Sequence, residues 1–334
     1  MDLLGEHTVT TAEADRYAAR VADLLEIFAG AAGTWPDDPH LERDPWGPVP
    51  RVGVSVKPTA LAPRFGPLTA EEGLDEAVTR LRPILARARE LGAAVTLDME
   101  HYGVKDLTLE LVSRLGSELP DGPVLGAVVQ AYLRDSYGDL LRLVEWAERT
   151  RRAPLQVRLV KGAYWDTETV VARAEGWVSP VFEDKRETDA NFERCARLLV
   201  ARAGVVRPAF GSHNVRSLAY AVACARARGL HDGAVELQLL HGMAEPVHAA
   251  LRRLGLRVRV YAPVGELVPG MAYLVRRLLE NTSNESFIRH RFVQGEALES
   301  LVRPRGGRRA PSPARFPTPC PNGRRPTRRR PDRS

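Results

Sequence analysis

Leu155-Gln156-Val157-Arg158-Leu159-Val160 runs straight into Lys161-Gly162-Ala163-Tyr164-Trp165. The first six residues read as a short β-rich strand, and the rest as a polar loop that precedes a helical pattern. The same unit recurs along the chain. Further strands are expected at Asp2–Gly5, Arg51–Val56, Ala94–Leu97, Val124–Val129, Arg207–Gly211, Val235–Leu239 and Val258–Tyr261. Between them lie helical periods. Thr10 with Glu13 reads as a capping box, followed by Tyr17, Val21, Leu24, Leu25 and Phe28 at helical spacing. Thr69 with Glu72 reads as a second box, followed by Leu74, Val78, Leu81 and Leu85. Other helices are expected near 106–117, 137–149, 187–203, 213–228, 245–254 and 267–282. Eight strands alternating with helices predict an α/β fold, a closed (βα)8 barrel of the TIM type.

In such barrels the chemistry sits at the C-terminal ends of the strands. Polar residues gather there: Glu6, Lys57, Asp98, Gln130, Arg158 with Lys161, His213, His241 and Tyr261. A strand at the first residues implies that the usual N-terminal cover of the barrel bottom is lacking. The expected division is a barrel over 1–303 and an Arg/Pro-rich disordered tail over 304–334.

Composition narrows the function classes. At 334 residues and 44% apolar, the chain is long enough to bury a large core. The net charge of +6 is misleading as a whole-chain property. Residues 304–334 carry ten Arg and one Asp, or +9, which leaves 1–303 at −3. The expected barrel is therefore mildly acidic, and no nucleic-acid partner is expected. Three cysteines, none in a CxxC pair, fit a reducing compartment, and the expected location is the cytosol. No G-x-G-x-x-G follows a strand, so no Rossmann dinucleotide site is expected.

The loop after Val160 suggests its ligand. The Gly162-Ala163 pair lets a flat group approach the backbone closely. Arg158 and Lys161 beside it favour an anionic ring system or a phosphate. Near the end of the chain, Tyr273, Arg276, Arg277 and Glu280 fall at i, i+3, i+4 and i+7, on one helical face. A guanidinium pair there matches the two oxygens of a carboxylate.

The run Arg158-Leu159-Val160-Lys161-Gly162-Ala163-Tyr164-Trp165 resembles the signature of the proline dehydrogenases, particularly the dehydrogenase domain of bifunctional proline utilisation A proteins. Other segments resemble the family in the same order: Ser55-Val56-Lys57-Pro58-Thr59-Ala60-Leu61, Leu97-Asp98-Met99-Glu100, Val129-Gln130-Ala131-Tyr132, Ser212-His213-Asn214, Leu240-His241-Gly242-Met243, Tyr261-Ala262-Pro263-Val264-Gly265, and Tyr273 through Asn281. The resemblance runs from Asp2 to about Phe292.

It implies FAD as cofactor, L-proline as substrate, 1-pyrroline-5-carboxylate as product and a membrane quinone as electron acceptor, with peripheral contact at the inner membrane. It assigns Met99, Gln130, Arg158, Lys161, Gly162, Ala163, Ser212 and His213 to the flavin. Ser212 stands where many relatives have Thr, and it keeps the hydroxyl. Asp98 and Arg158 take the catalytic positions. Lys57, Tyr261, Tyr273, Arg276, Arg277 and Glu280 take the substrate positions, with Glu6 as an ion-pair partner of the arginine clamp. The resemblance implies no metal and leaves the oligomeric state open. Three rival readings stand beside it. Asp98, Glu100, His101, His213 and His241 read as metal-hydrolase ligands; Lys161 reads as a Schiff-base lysine; or the chain is an inactive truncated fragment.

Overall fold

Alternation along the barrel strands separates an apolar outside from a polar inside. In the strand Leu155–Val160, Leu155, Val157 and Leu159 are fully buried in the apolar core, while Gln156 and Arg158 line a small polar cavity on the other face. Side chains two apart share a face of a strand, so the pattern repeats on its neighbours. Val54 and Val56, Val95 and Leu97, and Leu237 and Leu239 enter the core, whereas Ser55, Thr96 and Gln238 face the cavity.

The structure is a computed structural model and describes residues 1–5, 7–122, 124–266, 270–271 and 273–277. Its barrel strands are β1 (Asp2–Leu3), β2 (Gly53–Val56), β3 (Ala94–Leu97), β4 (Val124–Gln130), β5 (Leu155–Val160), β6 (Val206–Gly211), β7 (Glu236–Leu240) and β8 (Val258–Tyr261, continued by Pro263–Val264). Each is parallel to its neighbours. The last strand closes the sheet. Val258 to Tyr261 pair with Leu237 to Leu240, and beyond Ala262 the residues Pro263 and Val264 pair with Asp2 and Leu3. The predicted (βα)8 barrel is the fold observed.

Local signals explain most helix positions. The Thr10 box forms in full: the Glu13 N–H donates to Thr10 Oγ1, and the Thr10 N–H to the Glu13 carboxylate. Helix Thr11–Ala32 then buries Tyr17, Val21, Leu24 and Leu25. The second expected box does not form. Thr69 ends a short turn, Pro67–Thr69, and its hydroxyl donates to the Arg64 carbonyl at 2.7 Å instead of capping helix Ala70–Glu90. After β5 there are two helices, Trp165–Glu175 and Lys185–Ala201, where one was expected. Val170 and Val171 of the first are exposed, so it carries little apolar periodicity for a sequence reading to detect. Of the expected helix at 267–282, residues 270–271 and 273–277 are helical and the rest lies outside the described residues, as does the 304–334 tail.

Residues 36–50 lie against the N-terminal strand ends. They form a helical turn, Pro39–Glu42, and a two-residue antiparallel ribbon of Arg43–Asp44 with Gly47–Pro48. Asp44 is fully buried against Arg207 of β6 at 2.8 Å. Arg259 of β8 donates to the Pro50 and Arg51 carbonyls and to Glu236.

Candidate active site

The period of two that turns Ser55 inward also turns Lys57 inward. The same rule pairs Thr96 with Asp98, Gln156 with Arg158, and Arg259 with Tyr261. The C-terminal rim therefore collects one polar side chain from each of several strands.

Two charged groups anchor this rim. Lys57 Nζ lies 2.6 Å from Asp2 Oδ1, with side chains 8% and 2% exposed. Burial opposes the ammonium charge, but Asp2, Tyr17 and Asp98 outweigh it and hold Lys57 above the ordinary lysine range. Tyr17 also accepts the Lys57 backbone N–H at 3.4 Å. The second group centres on Asp98. Arg158 Nη1 stands 3.2 Å from Asp98 Oδ1, and Tyr261 donates its hydroxyl to Asp98 Oδ2 at 3.0 Å. Arg158 Nη2 donates to Ser55 Oγ at 2.8 Å, and the guanidinium lies 5.2 Å from the centre of the Tyr261 ring. Burial, then Asp98 and Asp2, push Tyr261 well above the usual tyrosine range, so its proton stays in place as a donor.

Beside them lies a shelf made by β3 and β4. Gln130 is buried and donates its amide N–H groups to the Met99 and Glu100 carbonyls, both at 3.3 Å. Its Oε1 is buried with no hydrogen-bond partner among the described residues, as is Arg158 Nε. Glu100 is fixed below by the Thr59 N–H at 3.1 Å and hydroxyl at 2.7 Å, and burial raises its pKa.

The loop after β5 provides the opposite wall. Lys161 pairs with Asp189, which also receives Lys185 at 3.1 Å. Gly162 has φ +130°, and a Cβ there would lie 2.4 Å from the Tyr132 ring. Ala163 is exposed. Ser212 Oγ accepts the Asn214 N–H at 3.1 Å, and His213 Nε2 accepts the Leu240 N–H at 3.1 Å.

Tyr273, Arg276 and Arg277 are helical, with the Arg277 guanidinium 5.3 Å from the centre of the Tyr273 ring. Arg276 lies 5.0 Å from the centre of the Tyr164 ring, which brings this helix to the loop after β5. Glu6 and Glu280 lie outside the described residues.

Two residues of the site escaped the sequence reading. Asp2 is the buried partner of Lys57, and its signal was a lone acid in an expected strand. Tyr164 is the ring beneath Arg276, and it was read only as part of a motif. Two residues of the rival metal reading have other partners: Glu100 accepts from Thr59, and His213 accepts from the Leu240 backbone. Among the described residues no three His, Cys, Asp or Glu side chains group to hold a metal, and no helix is long and apolar enough to cross a membrane.

Comparison with known proteins identifies the relatives of this chain. The sequence pattern of the family described as Proline dehydrogenase matches residues 1–290. The bifunctional protein PutA of Klebsiella aerogenes is 33% identical over 310 residues, which is 90% of this chain and 23% of that protein. Proline dehydrogenase of Deinococcus radiodurans is 30% identical over 299 residues, 88% of this chain and 81% of that protein. Among solved structures, proline utilization A from Bdellovibrio bacteriovorus, inactivated by N-propargylglycine, superposes with a TM-score of 0.87. It is 46% identical, with 90% of this chain and 32% of that one covered. The chain thus spans about a quarter of the PutA relative's length and about a third of the solved PutA chain.

Proposed function

This chain belongs to the proline dehydrogenase family, and on that premise we propose that it oxidises L-proline to 1-pyrroline-5-carboxylate with bound FAD and delivers the electrons to a quinone. The proposed catalytic unit is residues 1–303, acting from the cytosol with peripheral contact at the inner membrane.

The observation that carries the cofactor assignment is the Gln130 amide. Its nitrogen is committed to two backbone carbonyls, and its oxygen is a buried acceptor without a donor among the described residues. A buried acceptor left unfilled costs about 1–3 kcal/mol, and the ring N–H of an isoalloxazine would supply the missing donor. The Arg158 Nε is a buried donor in the same position of need. Gly162 leaves the backbone open for a flat group to approach.

When bound, FAD supplies the oxidant that accepts a hydride from the ring carbon next to nitrogen. The protein's own groups do the rest. Arg276, Arg277 and Lys57 bind the carboxylate in this reading, with Glu280 assigned as a further substrate residue and Glu6 as the ion-pair partner of the clamp. Tyr261 and Tyr273 wall the small ring. Arg158, held by Asp98 and Ser55, presents a fixed positive charge where negative charge develops. Met99, Lys161, Ala163, Ser212 and His213 complete the proposed cofactor contacts. Holding both reactants in one geometry turns a bimolecular encounter into an intramolecular step.

The test is turnover of the FAD-loaded chain with L-proline and an artificial dye acceptor, with the product trapped as its o-aminobenzaldehyde adduct. Proline-dependent dye reduction that yields the adduct supports the reading. A folded, flavin-loaded chain that turns over no proline contradicts it.

A further inference from the structure

Two residues beyond the end of β4, Tyr132 is buried outside the barrel interior, in a small cluster with Leu133 and Val181. Its main chain is fastened on both sides. The Tyr132 N–H donates to the Lys161 carbonyl at 2.8 Å, and the Tyr132 carbonyl accepts the Phe182 N–H at 2.8 Å. A Leu133–Val181 bridge continues the seam. The ring is thereby fixed relative to the turn that follows β5.

That turn rests on the ring. A Cβ on Gly162 would come within 2.4, 2.5 and 2.6 Å of the Tyr132 Cδ1, Cε1 and Cγ atoms. No real side-chain carbon tolerates such contacts, so ring and glycine backbone are in direct apposition. Gly162 is also at φ +130°, a conformation that side chains other than hydrogen rarely adopt. The hydroxyl contributes less. It is buried, with the Tyr164 N–H directed at it.

We propose that Tyr132 is a positioning residue for the cofactor: its ring is the floor that sets the height and tilt of the Lys161-Gly162-Ala163 turn against the flavin. The proposal rests on the flavin reading above. The ring acts through Gly162. It explains why the turn needs a glycine twice over, once for its backbone angle and once for the ring beneath it. It also gives a reason for an aromatic at 132 that core packing alone does not, since any apolar residue of similar volume would fill the cluster.

The experiment measures FAD dissociation constants of the apo full-length chain by flavin fluorescence quenching, with the apoprotein melting temperature recorded alongside. Tyr132→Phe keeps the floor and is expected to bind FAD within about threefold of wild type. Tyr132→Leu removes the floor and is expected to weaken FAD at least about tenfold, with the apoprotein still folded. Tyr132→Trp overfills the same floor and carries the same expectation should the leucine variant not fold. Gly162→Ala is expected to weaken FAD about 100-fold, and Gly162→Ala with Tyr132→Leu by less than the product of the two single losses. A folded Tyr132→Leu or Tyr132→Trp chain that binds FAD like wild type overturns the proposal, as does full additivity with Gly162→Ala. A Tyr132→Phe loss as large as that of leucine also overturns it, because it moves the role to the hydroxyl. Failure of the folded wild-type chain to bind FAD overturns the flavin reading itself, which separates the two.

Discussion

Arg158 and Asp98 act as a pair because each has a second partner that fixes its orientation: Ser55 for the guanidinium and Tyr261 for the carboxylate. Removing one partner of a buried charged pair strands the other. Asp98→Asn is therefore expected to lower kcat/KM for proline about 100-fold, or ~2.7 kcal/mol, read by steady-state kinetics with the fold checked by circular dichroism. Tyr261→Phe removes one hydrogen bond to a charge and is expected to lower kcat/KM about tenfold. An unchanged value in either variant removes that residue from the site. At this scale the sequence exposed the residues that lie in recognisable motifs, namely Lys57, Asp98, Gln130, Arg158 and Tyr261. It hid Asp2, because the pairing of Asp2 with Lys57 depends on β1 lying beside β2, which is a fact of register and not of local pattern.

Strands and caps were legible wherever one local force decides them. Thr10 and Glu13 satisfy each other, and the Val9 N–H donates to the same Glu13 oxygen without displacing the box. Thr69 fails as a cap because the Arg64 carbonyl takes its hydroxyl, a tertiary choice that spacing does not encode. Helix Lys185–Ala201 contributes Asp189, whose side chain is 7% exposed between Lys161 and Lys185. Burial opposes its charge, but the two lysines outweigh burial and hold the carboxyl below the usual aspartate range. A depressed carboxyl contributes stability in full above its unfolded pKa of about 4, and that contribution is lost as pH falls through the folded value. Asp189→Asn is expected to cost ~1–3 kcal/mol at pH 7 and to flatten the loss of stability below about pH 4, measured by urea unfolding across pH. An acid-side slope identical to wild type contradicts this assignment.

For the molecule as a whole, the two ends of the barrel have different tasks. The N-terminal end is closed by residues 36–50 and a buried ion pair, Asp44 with Arg207. In such barrels conservation at that end serves stability and the opposite end serves chemistry. Asp44→Ala leaves Arg207 buried without its carboxylate and is expected to cost ~3–5 kcal/mol in urea unfolding, with KM for proline and FAD affinity unchanged. A large shift in KM without loss of stability would reverse the two tasks. The barrel itself was legible because its strand–helix alternation repeats eight times. Closure was legible too, but its means, the bend at Ala262 that pairs Pro263 and Val264 with Asp2 and Leu3, was not, because a two-residue pairing leaves no periodic trace.

The proposed reaction requires that this barrel hold FAD and that proline reduce it. The direct measurement is the visible absorbance spectrum of the purified, FAD-loaded chain before and after anaerobic L-proline. The expected result is a bound-flavin spectrum that bleaches with proline and returns on admission of a quinone. A folded chain whose bound flavin keeps its colour in excess proline would contradict it.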